Sequence, residues 1–504
     1  MKARGHVDAP RKTMRKVLLI GCGLVGFLLL AAIAFSAWFD INSWKSNIEA
    51  TVSHATDMEV TIKGKIGVTR WPPLDVVLHD LQFRIRGDPI LTIEAVKLSS
   101  LKLVPLFRKQ VSAGACELVG PVITVVKYAD GRFNFESASE KATADGGTGP
   151  ATPVFVASRL SVRGGRYAYA ERKTGERADI EGIEADVRDF AISPSRAETL
   201  GDFSFAGSIA GKTVRRGTLT ITDVRSPITA EKGRFSLDAV TMDIFGGKGT
   251  GVVVAHTPPP APRYEITLEV PQCRVERLLE GLGEKKFLGG EGALTMHLLT
   301  TGRGNRELTK NLSGEVSLRG NKLEAYAMDV DRLVAKVEKT RRFSLIDLGA
   351  FFIAGPLGTV ATKGYDFGRA YQQAGTGHGT LERLVATWQI GNGVAEARDC
   401  ALATERNRVA FVGSIDLLQE SYLDAVVAVL DDRGCSRFSQ RLSGPIADPK
   451  LLTMSSFQRL AGPFVGLFQK ARRMLAPNAK CEVVYNGSVP QPHESAEPAH
   501  PVRR

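Results

Sequence analysis

One glycine-rich run has the spacing of a phosphate-binding loop and a second comes near it. Gly21-Cys22-Gly23-Leu24-Val25-Gly26 follows the strand-like Val17-Leu18-Leu19-Ile20, and Asp40 stands about where a ribose-binding acid would. A nucleotide-binding helix needs one wet face, yet Phe27 to Phe39 is apolar all round apart from Ser36. Gly207-Ser208-Ile209-Ala210-Gly211-Lys212-Thr213 is one residue short of a Walker loop and lacks the apolar helix that should follow, so it reads as a turn between strands. The eight histidines include no HExxH pair and none beside a cysteine pair; CxxC and GxSxG are absent. Asp431 with Asp432 and Glu181 with Glu184 read as solvated carboxylates, and His378 as a loop histidine. The basic residues lack the interleaved aromatics of a nucleic-acid platform. No enzyme, metal site, cofactor or nucleic-acid partner is expected.

The elements around these residues explain the decoys. Val17 to Phe39 carries no charge and, as a helix, would run about 35 Å, enough to cross a hydrocarbon core of ~30 Å. Lys2, Arg4, Arg11, Lys12, Arg15 and Lys16 precede it against the single acid Asp8, which places residues 1–16 in the cytoplasm and the body outside. The run is too long for a cleaved signal peptide and lacks a good small-x-small site. One transmembrane helix over 17–39 is therefore expected. A mean hydropathy of -0.06 excludes a polytopic membrane protein, and 43% hydrophobic with 24% charged residues excludes a mostly disordered chain. The net charge of +12 favours anionic surfaces.

Beyond the anchor, Asn42 to Asp57 reads as one helix, and the pattern then turns to period two. Met58-Val60-Ile62, Leu74-Val76-Leu78, Leu81-Phe83-Ile85, Leu91-Ile93, Leu101-Leu103, Tyr167-Tyr169, Phe203-Phe205, Leu219-Ile221 and Tyr264-Ile266-Leu268-Val270 are half-buried strands by pattern. Residues 137–152 form a Gly-rich linker, Val275 to Leu282 a short helix, and Leu323 to Phe352 a mixed region. Strands return from Gly377 to Leu430. Ser456 to Leu475 is an amphipathic helical stretch broken at Pro463, and residues 490–504 a disordered tail. Of the outer cysteines Cys116, Cys273, Cys400, Cys435 and Cys481, the last two share a loop-like context near the C-terminus and are the pair offered for a disulfide; buried reduced thiols are the alternative.

The order of these elements resembles the AsmA family of bacterial envelope proteins. Val60-Thr61-Ile62-Lys63-Gly64-Lys65, the segment Pro73 to Leu81, Pro105-Leu106, Gly120-Pro121-Val122-Ile123 and the turn Tyr128-Ala129-Asp130-Gly131-Arg132-Phe133-Asn134-Phe135 carry the likeness in the N-terminal part. Leu312 to Val316, Trp388 to Ala395, Val412 to Leu417 and Leu442 to Pro449 carry it in the C-terminal part. The resemblance implies a mainly β protein: the N-terminal transmembrane helix, then a long curved antiparallel sheet forming a groove, with a few short helices. Its regions would be an AsmA-like N-terminal β region (40–136), a middle β region (153–285), an AsmA-like C-terminal region (286–450) and a helical segment (451–489). Periodicity alone fits a sandwich as well as a groove.

The resemblance further implies an inner-membrane protein with a periplasmic body, acting in outer-membrane biogenesis and shielding or conducting phospholipid along an apolar β-groove. The alternative is a structural or regulatory interaction protein that carries no lipid and binds an outer-membrane or periplasmic protein. Val60, Ile62, Val76, Leu78, Phe83, Ile85, Ile93 and Leu103 are the inward candidates for the groove. Arg459, Lys470, Arg472 and Arg473 are candidates for membrane or partner contact, with a helix capping the groove end as the other reading. At ~4.8 Å per strand, 25–30 strands would reach roughly 120–145 Å.

Overall fold

The computed structural model describes residue 42 and residues 45–56, 58–70, 74–102, 111–135, 155–192, 203–257, 261–284, 286–326, 328–340, 346–353, 357, 377–446, 448–452 and 483–492. The expected membrane helix 17–39, the linker 137–152 and the amphipathic stretch 456–475 lie outside them. Among the described residues no helix is long and apolar enough to cross a membrane.

The described chain builds one long sheet of 22 strands, β1 to β22. The alternating segments pair with their sequence neighbours, so the sheet grows mostly as a meander. Three rungs are shared by two collinear strands each. β1 (Glu59–Ile62) and β2 (Ile66–Arg70) both pair with β3 (Leu74–Ile85). β5 (Val111–Val119) and β6 (Val122–Lys127), interrupted by Gly120-Pro121, both pair with β4 (Asp88–Leu101). β14 (Leu288–Gly289) and β15 (Glu291–Thr301) both pair with β16 (Ser313–Ala325). The 22 strands therefore make 19 rungs, 22 less the three shared ones, stacking to roughly 85 Å. That is well short of the reach expected from the strand count.

The sheet is mixed, which corrects the antiparallel expectation. β7 (Phe155–Glu171) runs parallel to both β5 and β6. Residues 128–154 separate β6 from β7, and only a connection of that length lets a strand return in the same direction. From β7 the sheet passes through β8 (Arg177–Ile192), β9 (Phe203–Arg216), β10 (Leu219–Glu231), β11 (Arg234–Ile244), β12 (Gly247–His256) and β13 (Arg263–Arg274) by antiparallel pairing. Pairing continues from β13 to β15 and through β16 to β17 (Gly379–Gly391), β18 (Val394–Ala403), β19 (Arg408–Asp416), β20 (Ser421–Leu430), β21 (Ser436–Pro445) and β22 (Lys450–Leu452).

Bulges bend the strands between β7 and β11. Register shifts fall at Val162/Gly165 in β7, Arg188/Ala191 in β8 and Thr222/Arg225 in β10. Gly164 (φ 65°), Asp189 (φ 54°) and Asp223 (φ 51°) hold the left-handed backbone there. An extra residue on one strand bends it and increases its twist, and repeated on successive strands it curves the sheet.

The first edge is sealed by the helix α1 (Lys45–Thr56). Ser53 Oγ accepts from the Val60 amide (2.9 Å), Glu49 Oε1 from Ile62 (2.7 Å) and Asn42 Oδ1 from Ile66 (2.9 Å). Side chains thus occupy the donors that an open edge would offer to another strand. The C-terminal part has its core on the same apolar face, filled by α2 (Val275–Gly281), α4 (Val330–Thr340) and α5 (Ile346–Ile353); α3 (Asn305–Lys310) contributes no buried residue. Leu348 and Phe352 of α5 are fully buried, and the Trp388 indole N–H donates to the Phe352 carbonyl at 3.0 Å.

Candidate functional site

Cross-strand partners share a face, so the register shows which side chains line each side of the sheet. One face is apolar from rung to rung. Tyr167 stands opposite Ile180, Ile180 opposite Val214, Val214 opposite Ile221 and Ile221 opposite Ile244. Nearer the other strand ends, Phe205 stands opposite Ala230, Ala230 opposite Phe235 and Phe235 opposite Ala255. Phe205 stacks on Phe190 at 5.8 Å. The opposite face is charged: Arg163 pairs with Glu184 (3.3 Å) and Asp186 (2.9 Å), Arg166 with Asp179 (3.2 Å), and Arg215 with Glu181 (3.3 Å).

What covers the apolar face differs along the molecule. At the N-terminal end Ile62, Ile66, Val76, Leu81, Ile93 and Val96 form a packed cluster that ends at Ala157 and Leu160. At the C-terminal end the helices fill it, and there α2 marks the boundary: the Thr218 hydroxyl donates to the Gly281 carbonyl (3.2 Å), and Phe245 and Leu219 pack at Gly281. No described residue of β8 or β9 joins any core cluster. Ile180, Ala185, Phe205, Ile209, Val214, Ile221, Ile228 and Phe235 are only half-buried.

At one end of this open stretch the apolar face meets a row of charge. Val125 lies opposite Tyr169 and Lys127 opposite Glu171, while Ala178 lies opposite Arg216, so Lys127, Glu171 and Arg216 share the apolar face. The Lys127 ammonium pairs with Glu171 (2.9 Å), and Arg216 with Glu176 (2.6 Å) in the turn after β7. Hydrogen bonds from the Thr174 hydroxyl (2.7 Å) and Lys127 lower the Glu171 carboxyl below its usual range, and the hydrogen bond to Glu171 raises Lys127. Burial raises the Tyr169 phenol beside them.

The residues offered from sequence as groove lining fall elsewhere. Ile62, Val76 and Ile93 belong to the packed N-terminal cluster, with Leu78 and Phe83 against it, and Val60 and Ile85 are also buried. They share the apolar face but line no open stretch of it. Leu103, Arg459, Lys470, Arg472, Arg473 and Cys481 lie outside the described residues. Cys435 is disulfide-bonded, while Cys116, Cys273 and Cys400 are free and buried. Cys435 also bridges Val483, the start of a strap (residues 483–492) on the other face of β17–β20. The Walker-like run is not a turn. It lies inside β9, where a Cβ on Gly207 would stand 2.1 Å from the Asp186 carbonyl oxygen. The open face had a sequence signal, the alternation in Tyr167-Tyr169, Phe203-Phe205 and Leu219-Ile221. The charged row had none, because only pairing brings Lys127 and Arg216 to it.

The turn 128–135 has a structural role. Gly131 (φ 92°) makes it tight, and Asp130 accepts from the Arg132 amide (3.0 Å) and Nε (2.8 Å). Buried Asn134 accepts from the Val126 amide (2.9 Å) and donates to the Thr124 carbonyl (2.9 Å), so it pins the returning chain to β6. A cavity of about 450 Å³ lies beside it, lined by Ile85, Arg86, Asp88, Tyr128 and Arg132 among others. The Tyr128 hydroxyl donates to Asp88 there. Among the described residues no group of three or more His, Cys, Asp or Glu is arranged to hold a metal ion.

No curated protein and no solved structure matches the chain. Residues 12–207, from the basic segment before the apolar run into β9, match the model of the AsmA family. Over that stretch, which includes the pinned turn and the first open strands, the chain is similar to the AsmA family.

Proposed function

We propose that the protein shields or conducts phospholipid on the apolar face of its sheet, as a periplasmic body held to the inner membrane by residues 17–39. The observation that carries this reading is the apolar face of β8 and β9, with Ile180, Ala185, Phe205, Ile209 and Val214 half-buried on one side of the sheet and ion pairs on the other. A lipid tail leaving a bilayer exposes apolar area at about 25 cal/mol per Å², and an apolar wall removes that penalty while the tail crosses water. Such a role requires no nucleophile and no cofactor. On this reading the protein acts in outer-membrane biogenesis. The closed C-terminal part supports a second reading, an interaction module that affects outer-membrane protein assembly without carrying lipid.

The test is a phospholipid with a photoreactive acyl chain, introduced into membranes that hold the full chain. Label in peptides from residues 155–257, lost in Phe205→Asp, is the expected result. Label confined to residues 17–39 would leave only the anchor touching lipid and would favour the interaction module.

A further inference from the structure

The open apolar stretch has two ends that differ chemically, and the difference points to a ligand class. On the C-terminal side it stops where α2 packs on Leu219 and Phe245, and beyond that Trp388, Phe352 and Phe411 fill the space. No tail can lie over β16–β20 while that core is in place. Along the strands, the stretch stops at the row Lys127, Glu171, Glu176 and Arg216, where two cations and two carboxylates meet apolar side chains of the same face. β9 alone has 14 residues, about 45 Å of strand, while a tail fills about half of a ~30 Å hydrocarbon core.

A net anion would find its attraction to Lys127 and Arg216 offset by the carboxylates beside them. A zwitterion fits both signs at once, with its phosphate toward Lys127 and Arg216 and its ammonium toward Glu171 and Glu176. Tyr169 lies on that face between the charged row and the apolar rows, where an amphipathic ring suits the junction of headgroup and tail. We propose that this row is the headgroup site of a zwitterionic phospholipid whose tails lie along β8–β11, and that the plugged face over β16–β20 takes no lipid. This rests on the acyl-chain reading above.

The experiment uses the full chain in cells, with the photo-crosslinking amino acid p-benzoylphenylalanine in place of Tyr167 in one variant and of Phe411 in another. Tyr167 lies on the apolar face opposite Ile180, about 13 Å along β7 from Glu171 and within reach of a tail. Adducts are identified by mass spectrometry of the purified chain. A phospholipid adduct with an amine-bearing zwitterionic headgroup is expected at position 167 and none at 411. Combining the 167 probe with Lys127→Met, Glu171→Gln, Glu176→Gln and Arg216→Met removes both pairs without creating net charge. The adduct yield should fall about tenfold while the thermal midpoint stays nearly unchanged, since partly exposed pairs contribute little stability. An undiminished yield, or adducts mainly of a net-anionic lipid, would overturn the headgroup site. An adduct at 411 would overturn the boundary alone. No adduct at 167 in the otherwise native chain would overturn the acyl-chain reading and this site with it.

Discussion

At the scale of residues, what decides a role here is the environment that pairing creates. Cys116 and Cys273 are the same residue type as Cys435, yet burial raises both thiols to about 11, whereas Cys435 is in a disulfide. The folded-state values exceed the ordinary 9.0, so burial of the neutral thiols stabilises the fold fully below about pH 9. That contribution is lost as pH rises from there toward 11. Iodoacetamide at pH 8 should therefore leave Cys116 and Cys273 unmodified in the native protein and modify both in denaturant, read by peptide mass. Rapid modification of either thiol without denaturant would show that its cluster opens. Ile62 and Phe205 show the same dependence on environment: both alternate with polar residues in sequence, but Ile62 is 2% exposed inside a cluster while Phe205 is half-exposed on the open face.

At the scale of elements, the strap 483–492 is the least regular piece with the most specific attachment. Tyr485 and Val489 lie on Val385, Ala401, Ala403, Ala410 and Ala428, small side chains that let an irregular segment approach the sheet closely. Asp399 accepts from the Tyr485 and Ser488 hydroxyls, and Arg408 donates to the Val489 carbonyl (3.2 Å) and the Asp431 carbonyl (3.1 Å). Asp399→Ala leaves the phenol without its acceptor, a loss of about 1–3 kcal/mol. Limited proteolysis should then cut within 483–492 several times faster while far-UV circular dichroism stays unchanged. Equal cutting rates would mean that the packing of Tyr485 and Val489 and the Arg408 hydrogen bond hold the strap without Asp399.

At the scale of the whole molecule, one continuous sheet changes character along its length. β17–β20 are covered on both faces, by helices on one side and the strap on the other, while β8 and β9 join no core cluster. Backbone opening is costliest where both faces are buried, so amide exchange should be slowest in β16–β20 and markedly faster in β8–β10. Uniform protection along the sheet, read by exchange mass spectrometry, would show that something covers the middle strands in solution. The rung count also limits reach: roughly 85 Å of stacked strands is shorter than the sequence suggested.

The amino-acid sequence by itself determined the β-rich body, the first helix, the short helix at 275, the turn at 128–135 and the likeness of residues 12–207 to the AsmA family, because these follow from local periodicity, turn chemistry and motif order. Which parts of the apolar face are open was decided only by tertiary structure. Alternation places an apolar side chain on a face but does not say what lies over it. Only the docking of α2, α4 and α5 fills one end and leaves β8 and β9 outside every core cluster. The parallel entry of β7 was likewise invisible, since strand direction depends on where a connection of 27 residues (128–154) returns. That entry is also what sets Lys127 beside Glu171, 44 residues apart in sequence and 2.9 Å apart in the fold.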